Sequence, residues 1–215
     1  MFSIIIPTPT WNAEHLKACV NSIIRMSDKN IEIIIVPNDG KTTFEKEINR
    51  GIGMATGDVI CLCNDDVLFF DMEWQAKARP FLQDPKVGIV TVFGNCNFFS
   101  KAGPMIPFWF VLFRRNVLEE VGRLDESFSW FGSDHDWCMR AYQKGFTAAF
   151  FEGCVHHVQA GTASKRGDIW KALDASKRIL TERWGDLYVE DPERMAAFEM
   201  QYNVKVYAPN MPKTF

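Results

Sequence analysis

Three consecutive side chains with oxygen ligands, Asn64, Asp65 and Asp66, close the apolar run Val59–Cys63, which itself follows a Gly57-Asp58 turn. The run has the length and β-branched content of a buried strand. Neighbouring carboxylates repel and raise each other's pKa. A divalent cation removes that conflict, because Mg²⁺ or Mn²⁺ takes carboxylate oxygens and completes its shell with substrate phosphates. The plain alternative is a polar turn after a strand, since Asn and Asp are common turn residues. A second group, Asp134 and Asp136, follows Gly132-Ser133 at a predicted helix start. There a carboxylate can stabilise the helix by capping and dipole attraction, worth under ~1 kcal/mol at an exposed end. Beside a cleft it can also accept a proton from a substrate hydroxyl. A third pair, His156-His157, lies just past the apolar run Phe146–Phe151. Paired histidines on a strand point opposite ways along the pleat, and either is a metal ligand or a structural side chain. Trp130 and Phe131 belong to an aromatic-rich stretch that either packs in the core or stacks on a sugar or base.

The elements that position these groups follow from the hydrophobic pattern. Phe2 to Ile6 reads as a short buried strand stopped by Pro7. A helix capped by Asn12 runs to about Met26, with Leu16, Val20, Ile23 and Ile24 as its apolar stripe. Ile31 to Val36 is a second apolar strand, closing in Pro37-Asn38-Asp39-Gly40, and a helix from about Phe44 to Ala55 leads into the Val59 strand. Strands without polar alternation, separated by helices, predict a parallel α/β sheet covered on both faces. Ligands bind such sheets beyond the carboxyl ends of the strands. Pro7-Thr8, Asn38-Asp39-Gly40 and Asn64-Asp65-Asp66 are therefore expected to converge on one nucleotide-sized crevice.

Further along, Trp74 to Leu82 is predicted helical, Val87 to Phe93 a strand, and Gly94 to Pro107 a loop. Phe108 to Phe113 reads as a strand, with a short helix from Asn116 to about Gly122. The helix after Gly132 runs to about Lys144 and is followed by the strand Phe146 to Phe151. Ala160 to Gly167 reads as a basic loop able to close over a diphosphate. Helices are predicted from Asp168 to Trp184 and from about Pro192 to Met200.

The 215 residues are enough for one good-sized domain, and 47% hydrophobic with 24% charged residues is ordinary for a globular protein. A net charge of −3 implies no general attraction to nucleic acid or anionic membranes. Six cysteines without a CxxC pair, two of them (Cys61 and Cys63) on one face of a strand, argue for reduced thiols and a cytosolic setting. No signal peptide is recognisable, and no stretch approaches the ~20 apolar residues of a membrane span.

The order of these pieces resembles the family 2 glycosyltransferases of the GT-A fold, inverting enzymes that use nucleotide-activated sugars. Ser3-Ile4-Ile5-Ile6-Pro7-Thr8 and Thr10-Trp11-Asn12 are similar to the family's opening strand and its Thr-Tyr-Asn. Ile31 to Val36 with Asn38-Asp39-Gly40 is similar to the second strand and its Asp-Asp-Gly. Asn49-Arg50-Gly51 through Gly57-Asp58 resembles the helix leading to the metal strand, and Asn64-Asp65-Asp66 stands at its Asp-x-Asp. Phe113-Arg114-Arg115 through Asp125-Glu126 looks like the stretch before the acceptor site. Ser133-Asp134-His135-Asp136-Trp137-Cys138-Met139-Arg140 is similar to Glu-Asp-x-Asp-Leu-x-x-Arg, and His156-His157 falls where the family often ends a strand in His. The match spans about residues 3 to 160. It departs at Asn38, Asn64 and Ser133, each in place of a family acid, and between Gly40 and Asn49, where an expected strand has no room.

The resemblance implies a GT-A (Rossmann-like), mainly parallel sheet flanked by helices, with a smaller acceptor-side region. One domain over 1–215 would divide into a nucleotide-sugar half (1–92), an acceptor half (93–160) and a helical extension (161–215). Pro7, Thr8, Asp39, Asn64 and Asp65 would bind a UDP-, GDP- or dTDP-linked sugar. Asp66 and His156 would hold Mn²⁺ or Mg²⁺, Asp134 would be the general base, and Trp130, Phe131 and Asp136 would lie on the acceptor side. The acceptor would be a glycan, a lipid-linked molecule or a protein, and the setting cytoplasmic or peripheral to a membrane. Two other readings compete. A nucleotidyltransferase would need a glycine-rich basic loop after the first strand, and Pro7 to Asn12 has neither glycine nor charge. A non-catalytic nucleotide-sugar-binding or scaffold protein is favoured by the three lost acids and disfavoured by Asp39, Asp66 and Asp134.

Overall fold

The computed structural model describes residues 1–9, 14–38, 42–129, 131–158 and 169–202. In chain order its elements begin β1 (Phe2–Thr8), α1 (Glu14–Met26), β2 (Ile31–Pro37), α2 (Phe44–Met54), β3 (Val59–Cys63), β4 (Val67–Phe69), α3 (Trp74–Gln83) and β5 (Val87–Val92). They continue with β6 (Phe98–Phe99), β7 (Pro104–Met105), β8 (Phe110–Arg114), α4 (Arg115–Val121), α5 (Ser133–Gln143), β9 (Thr147–Phe151) and β10 (Val155–His157). The last are α6 (Ile169–Trp184), a 3-10 turn (Gly185–Tyr188) and α7 (Pro192–Tyr202).

A six-stranded sheet in the order β2-β1-β3-β8-β5-β9 is the centre of the molecule. Strand β1 pairs parallel with β2 and β3, and β5 parallel with β9, whereas β8 runs antiparallel to both its neighbours. The sheet is thus mixed α/β and mostly parallel. Apolar residues on consecutive positions serve both faces. Ile5, Ile60 and Leu62 pack beneath α2, α4, α5 and α6, while Ile4, Ile6, Cys61 and Cys63 pack against α1 and α3. Such double-sided burial explains why these strands do not alternate with polar residues. All six cysteines are buried and free.

Helix α2 lies unusually close to the sheet because residue 51 has no side chain: a Cβ there would overlap Ile5 Cγ2 and come within 3.1 Å of Val36 Cγ2. Beyond shifts of one or two residues at strand ends and the short added strands β4 and β10, two features differ from expectation. β1 continues through Pro7 to Thr8, and its pairing with β3 ends at Ile5, so the proline sits where that side of the strand has no partner. The stretch 94–107, expected as a loop, folds into the small hairpin β6–β7. No helix among the described residues is long and apolar enough to cross a membrane.

Candidate active site

Thr8, Asn38 and Asn64-Asp65-Asp66 lie at the carboxyl ends of β1, β2 and β3, which are neighbours in the sheet. The Asn38 amide donates to the Thr8 carbonyl at 2.7 Å, tying the ends of β1 and β2 together. Asn64 begins a turn that returns its carbonyl to the Val67 amide at 3.3 Å, and its own amide donates to the Trp109 carbonyl at 2.9 Å. The turn places Asp65 and Asp66 on β3's end with both side chains largely buried.

Asp65 faces β1 and α1. Its carboxylate is hydrogen-bonded by the Thr8 hydroxyl and lies 3.0 Å from His15 Nε2. Burial pushes its pKa up, and the neighbouring charge of Asp66 adds to that rise, against the pull of Thr8 and His15. Asp66 faces the short sheet formed by β4 and β10. In that antiparallel pair His157 stands opposite Val67 and His156 opposite Leu68. Asp66 Oδ1 consequently lies 3.1 Å from Nε2 of His157, and the Val158 amide donates to the Asp66 carbonyl at 2.9 Å. The His157 ring stacks on Trp109, with centroids 4.8 Å apart and planes 14° from parallel. His156, the expected metal ligand, is exposed and points away from Asp66, because adjacent residues of a strand face opposite sides. The histidine beside the acid pair is His157.

Asp134 stands on the first turn of α5. Gly132 supplies the left-handed residue that starts this helix (φ +86°), and a Cβ there would touch Phe128 and Leu180 at 3.0 and 3.1 Å. The Asp134 carboxylate is half-buried and accepts the His135 amide at 2.8 Å. Before it, Ser133 Oγ donates to Glu45 Oε1 on α2 at 3.0 Å. Since α2 begins at the carboxyl end of β2, this bond puts the start of α5 on the crevice side of the sheet. Phe131 is half-buried, and its carbonyl accepts the Ser176 hydroxyl of α6 at 2.7 Å. Asp39, Trp130 and the loop expected at Ala160 to Gly167 lie outside the described residues.

Asp136 does not belong with the acceptor-side groups. It is fully buried, and its two oxygens accept from Arg140 Nε (2.8 Å), Arg183 (2.7 Å) and Trp184 Nε1 (3.1 Å). A carboxylate with three charged or aromatic donors is a packing joint between α5 and α6, with no face left for a substrate.

The sequence did not single out His15, Glu45 or Trp109, and it left open which of His156 and His157 would face the acids. His15 stands in the first turn of α1, the helix that follows β1. The other three meet the site through register or through contacts between distant helices.

The residues fit a divalent cation. Asp65 and Asp66 bring two acids into one buried corner, and Asp66 with His157 presents an oxygen and an imidazole nitrogen on one side. That mixed donor set suits Mn²⁺ at least as well as Mg²⁺. Among the described residues no cluster of three or more His, Cys, Asp or Glu residues suited to a metal occurs, and Asp66 with His157 would supply only two ligands of a coordination shell. A nucleoside diphosphate supplies the kind of oxygens that complete it.

No protein-family model matches the chain, and no curated protein is similar in sequence. Solved structures match it in fold. A mannosyltransferase from Pyrobaculum calidifontis, in complex with GDP-mannose and Mn²⁺, superposes with a TM-score of 0.59 at 14% identity over 97% of this chain and 81% of that one. Staphylococcus aureus TarS matches at 0.59 and 13% identity, over 90% of this chain and 68% of that one. The catalytic domain of Drosophila β1,4-galactosyltransferase 7, complexed with xylobiose, matches at 0.56 and 14%, over 77% and 73%. The central sheet and its flanking helices are those of the GT-A fold.

Proposed function

We propose that the protein transfers a sugar from a nucleoside diphosphate sugar to an acceptor hydroxyl, with inversion, at the crevice beyond β1, β2 and β3. One observation carries the reading. Asp65 and Asp66 form a buried acid pair at the end of β3, with His157 Nε2 3.1 Å from Asp66 Oδ1, where a cation-bridged diphosphate would sit. Two of the similar structures hold a nucleotide sugar together with manganese, which supports the same ligand class here.

In this proposal Pro7, Thr8 and Asp39 hold the nucleoside, Asn64 and Asp65 line the donor, and Asp66 with His157 holds Mn²⁺ or Mg²⁺. When bound, the cation neutralises charge on the departing diphosphate. Thr8 and His15 keep Asp65 oriented, and the stacked Trp109 keeps the His157 ring edge toward Asp66. Asp134 takes the acceptor's proton as the acceptor oxygen bonds to the anomeric carbon. The bond from that carbon to the phosphate oxygen breaks on the other side. Phe131 and Trp130 flank the acceptor. Holding both substrates in line supplies much of the acceleration.

Calorimetric titration with UDP, GDP, CDP and dTDP, with and without Mn²⁺, tests this. The expected result is metal-dependent binding of one nucleotide that Asp66→Ala abolishes. Failure of all four to bind in a metal-dependent way would reduce Asn64-Asp65-Asp66 to a turn, and favour a scaffold on the same fold.

A further inference from the structure

Glu45 is an acid whose placement ordinary helix chemistry does not account for. It lies in the first turn of α2, where an exposed carboxylate would stabilise the helix, yet it is fully buried. Its carboxylate accepts Ser133 Oγ at 3.0 Å, and the side chain of the α2 cap residue, Thr43, also hydrogen-bonds it. Ser133 is the residue immediately before Asp134. The starts of α2 and α5 are therefore joined through one serine, with a buried acid on one helix and a half-buried acid on the other.

We propose that Glu45 is a positioning residue for Asp134: through Ser133 it fixes the turn that carries Asp134, holding the two acids in a set relation. The proposal rests on the reading of Asp134 as the general base. Its physical basis is the contrast between the two environments. Burial raises the Glu45 pKa, and the charge of Asp134 raises it further, while Thr43 and Ser133 pull it down. Thr43 and Ser133 are neutral donors, Glu47 on the same helix is engaged by the Thr42 hydroxyl at 2.5 Å, and Asp134 on α5 acts on Glu45 through its charge. Whether or not it carries a proton, the Glu45 carboxyl offers Ser133 an oxygen, so the tie to the turn bearing Asp134 holds in either state.

The test uses the full chain and needs no identified acceptor. Carboxyl ¹³C NMR titrations of the wild type and of Asp134→Asn, without metal or nucleotide, should show the Glu45 midpoint above its ordinary 4.5 and lower in the variant. A Glu45 midpoint indifferent to Asp134→Asn overturns the proposal. In parallel, release of GDP from GDP-mannose and of UDP from UDP-N-acetylglucosamine is followed with Mn²⁺. Loss of the Ser133 tie in Glu45→Ala should slow release by ~10-fold or more, the scale of a small misplacement of a reacting group. Mn²⁺-dependent binding of the nucleotide should persist, and Glu45→Gln, which keeps the oxygen Ser133 bonds, should recover part of the rate. Wild-type turnover in Glu45→Ala also overturns the proposal. A wild type that binds no nucleotide defeats the donor-site reading instead, and the NMR titration then decides the coupling by itself.

Discussion

His156 and His157 are neighbours in sequence and opposites in space, and the separation comes from one step along β10. Register with β4 sends His157 to Asp66 and the Trp109 face, and leaves His156 in solvent. If the pair Asp66 and His157 binds Mn²⁺, His157→Ala should weaken Mn²⁺ binding by at least the ~10–100-fold typical of losing even a residue that supports a metal ligand. His156→Ala should leave it nearly unchanged, and titration followed by Mn²⁺ electron paramagnetic resonance reads both. An equal loss in both variants would mean that the strand register is wrong. Glu45 gives a second prediction at this scale. Its folded pKa is raised above the ordinary 4.5, so the folded state holds the proton longer than the unfolded chain. Stability from this group is full below that value and is lost as pH rises through the raised folded pKa. Glu45→Gln cannot ionise, so its melting temperature should exceed the wild type's near pH 8 and approach it near pH 4. A gain at pH 4 equal to that at pH 8 would contradict the raised pKa. Asp134→Asn, by contrast, should cost ~10²–10⁴-fold in transfer if it is the base, with donor binding kept.

The elements show which parts of this arrangement could be read from the chain alone. β1, β2, β3 and β5 announce themselves as apolar runs, because strands buried on both faces need no alternation. Those runs also place Thr8, Asn64, Asp65 and Asp66 at or just past the ends of β1 and β3, where the structure has them. β4, β6, β7 and β10 were not legible, since two or three residues carry no period, and it is β10 that chooses between the histidines. The antiparallel direction of β8 was equally silent. Asp136 looked like a cleft residue because its partners, Arg183 and Trp184, are 47 and 48 residues away on α6. Glu45 looked like an ordinary first-turn acid because its partner is on α5. Ser133 stands where the family pattern has an acid, and the structure shows α2 delivering a carboxyl to it. What the sequence did mark is Gly132, and the structure explains why: it alone can take φ +86° beside Phe128 and Leu180 without strain. Gly132→Ala should cost roughly 1–2 kcal/mol in the left-handed conformation alone. It should also shift the turn bearing Asp134, so that sugar transfer falls while metal-dependent nucleotide binding holds. Unaltered transfer would show that the first turn of α5 does not set the chemistry.

At the scale of the molecule, the proposed site has two supports of different origin. The acid pair hangs on β3, inside the sheet, whereas Asp134 hangs on α5, which the C-terminal helices hold from outside. Asp136 gathers Arg140, Arg183 and Trp184 at the α5–α6 joint, and Arg183 reaches on to Asp125 at 2.8 Å. His135, next to Asp134 in the chain, is 2.7 Å from the Tyr188 hydroxyl in the 3-10 turn, and the Asp191 amide donates to the Phe99 carbonyl at 2.6 Å. Disturbance of this joint should therefore reach the α5 side of the crevice before the β3 side. Asp136→Ala removes a fully buried carboxylate and leaves two guanidinium groups without it, a change of ~3–5 kcal/mol for a buried pair. Arg140 and Arg183 are partly exposed and can rehydrate, which puts the expected loss near the lower end of that range. Urea unfolding should register the loss. Below the transition, Mn²⁺-dependent nucleotide binding should survive, while transfer should drop together with hydrogen-exchange protection of the first turn of α5. Equal loss of protection at the ends of β3 and α5 would mean that the two supports are one cooperative unit.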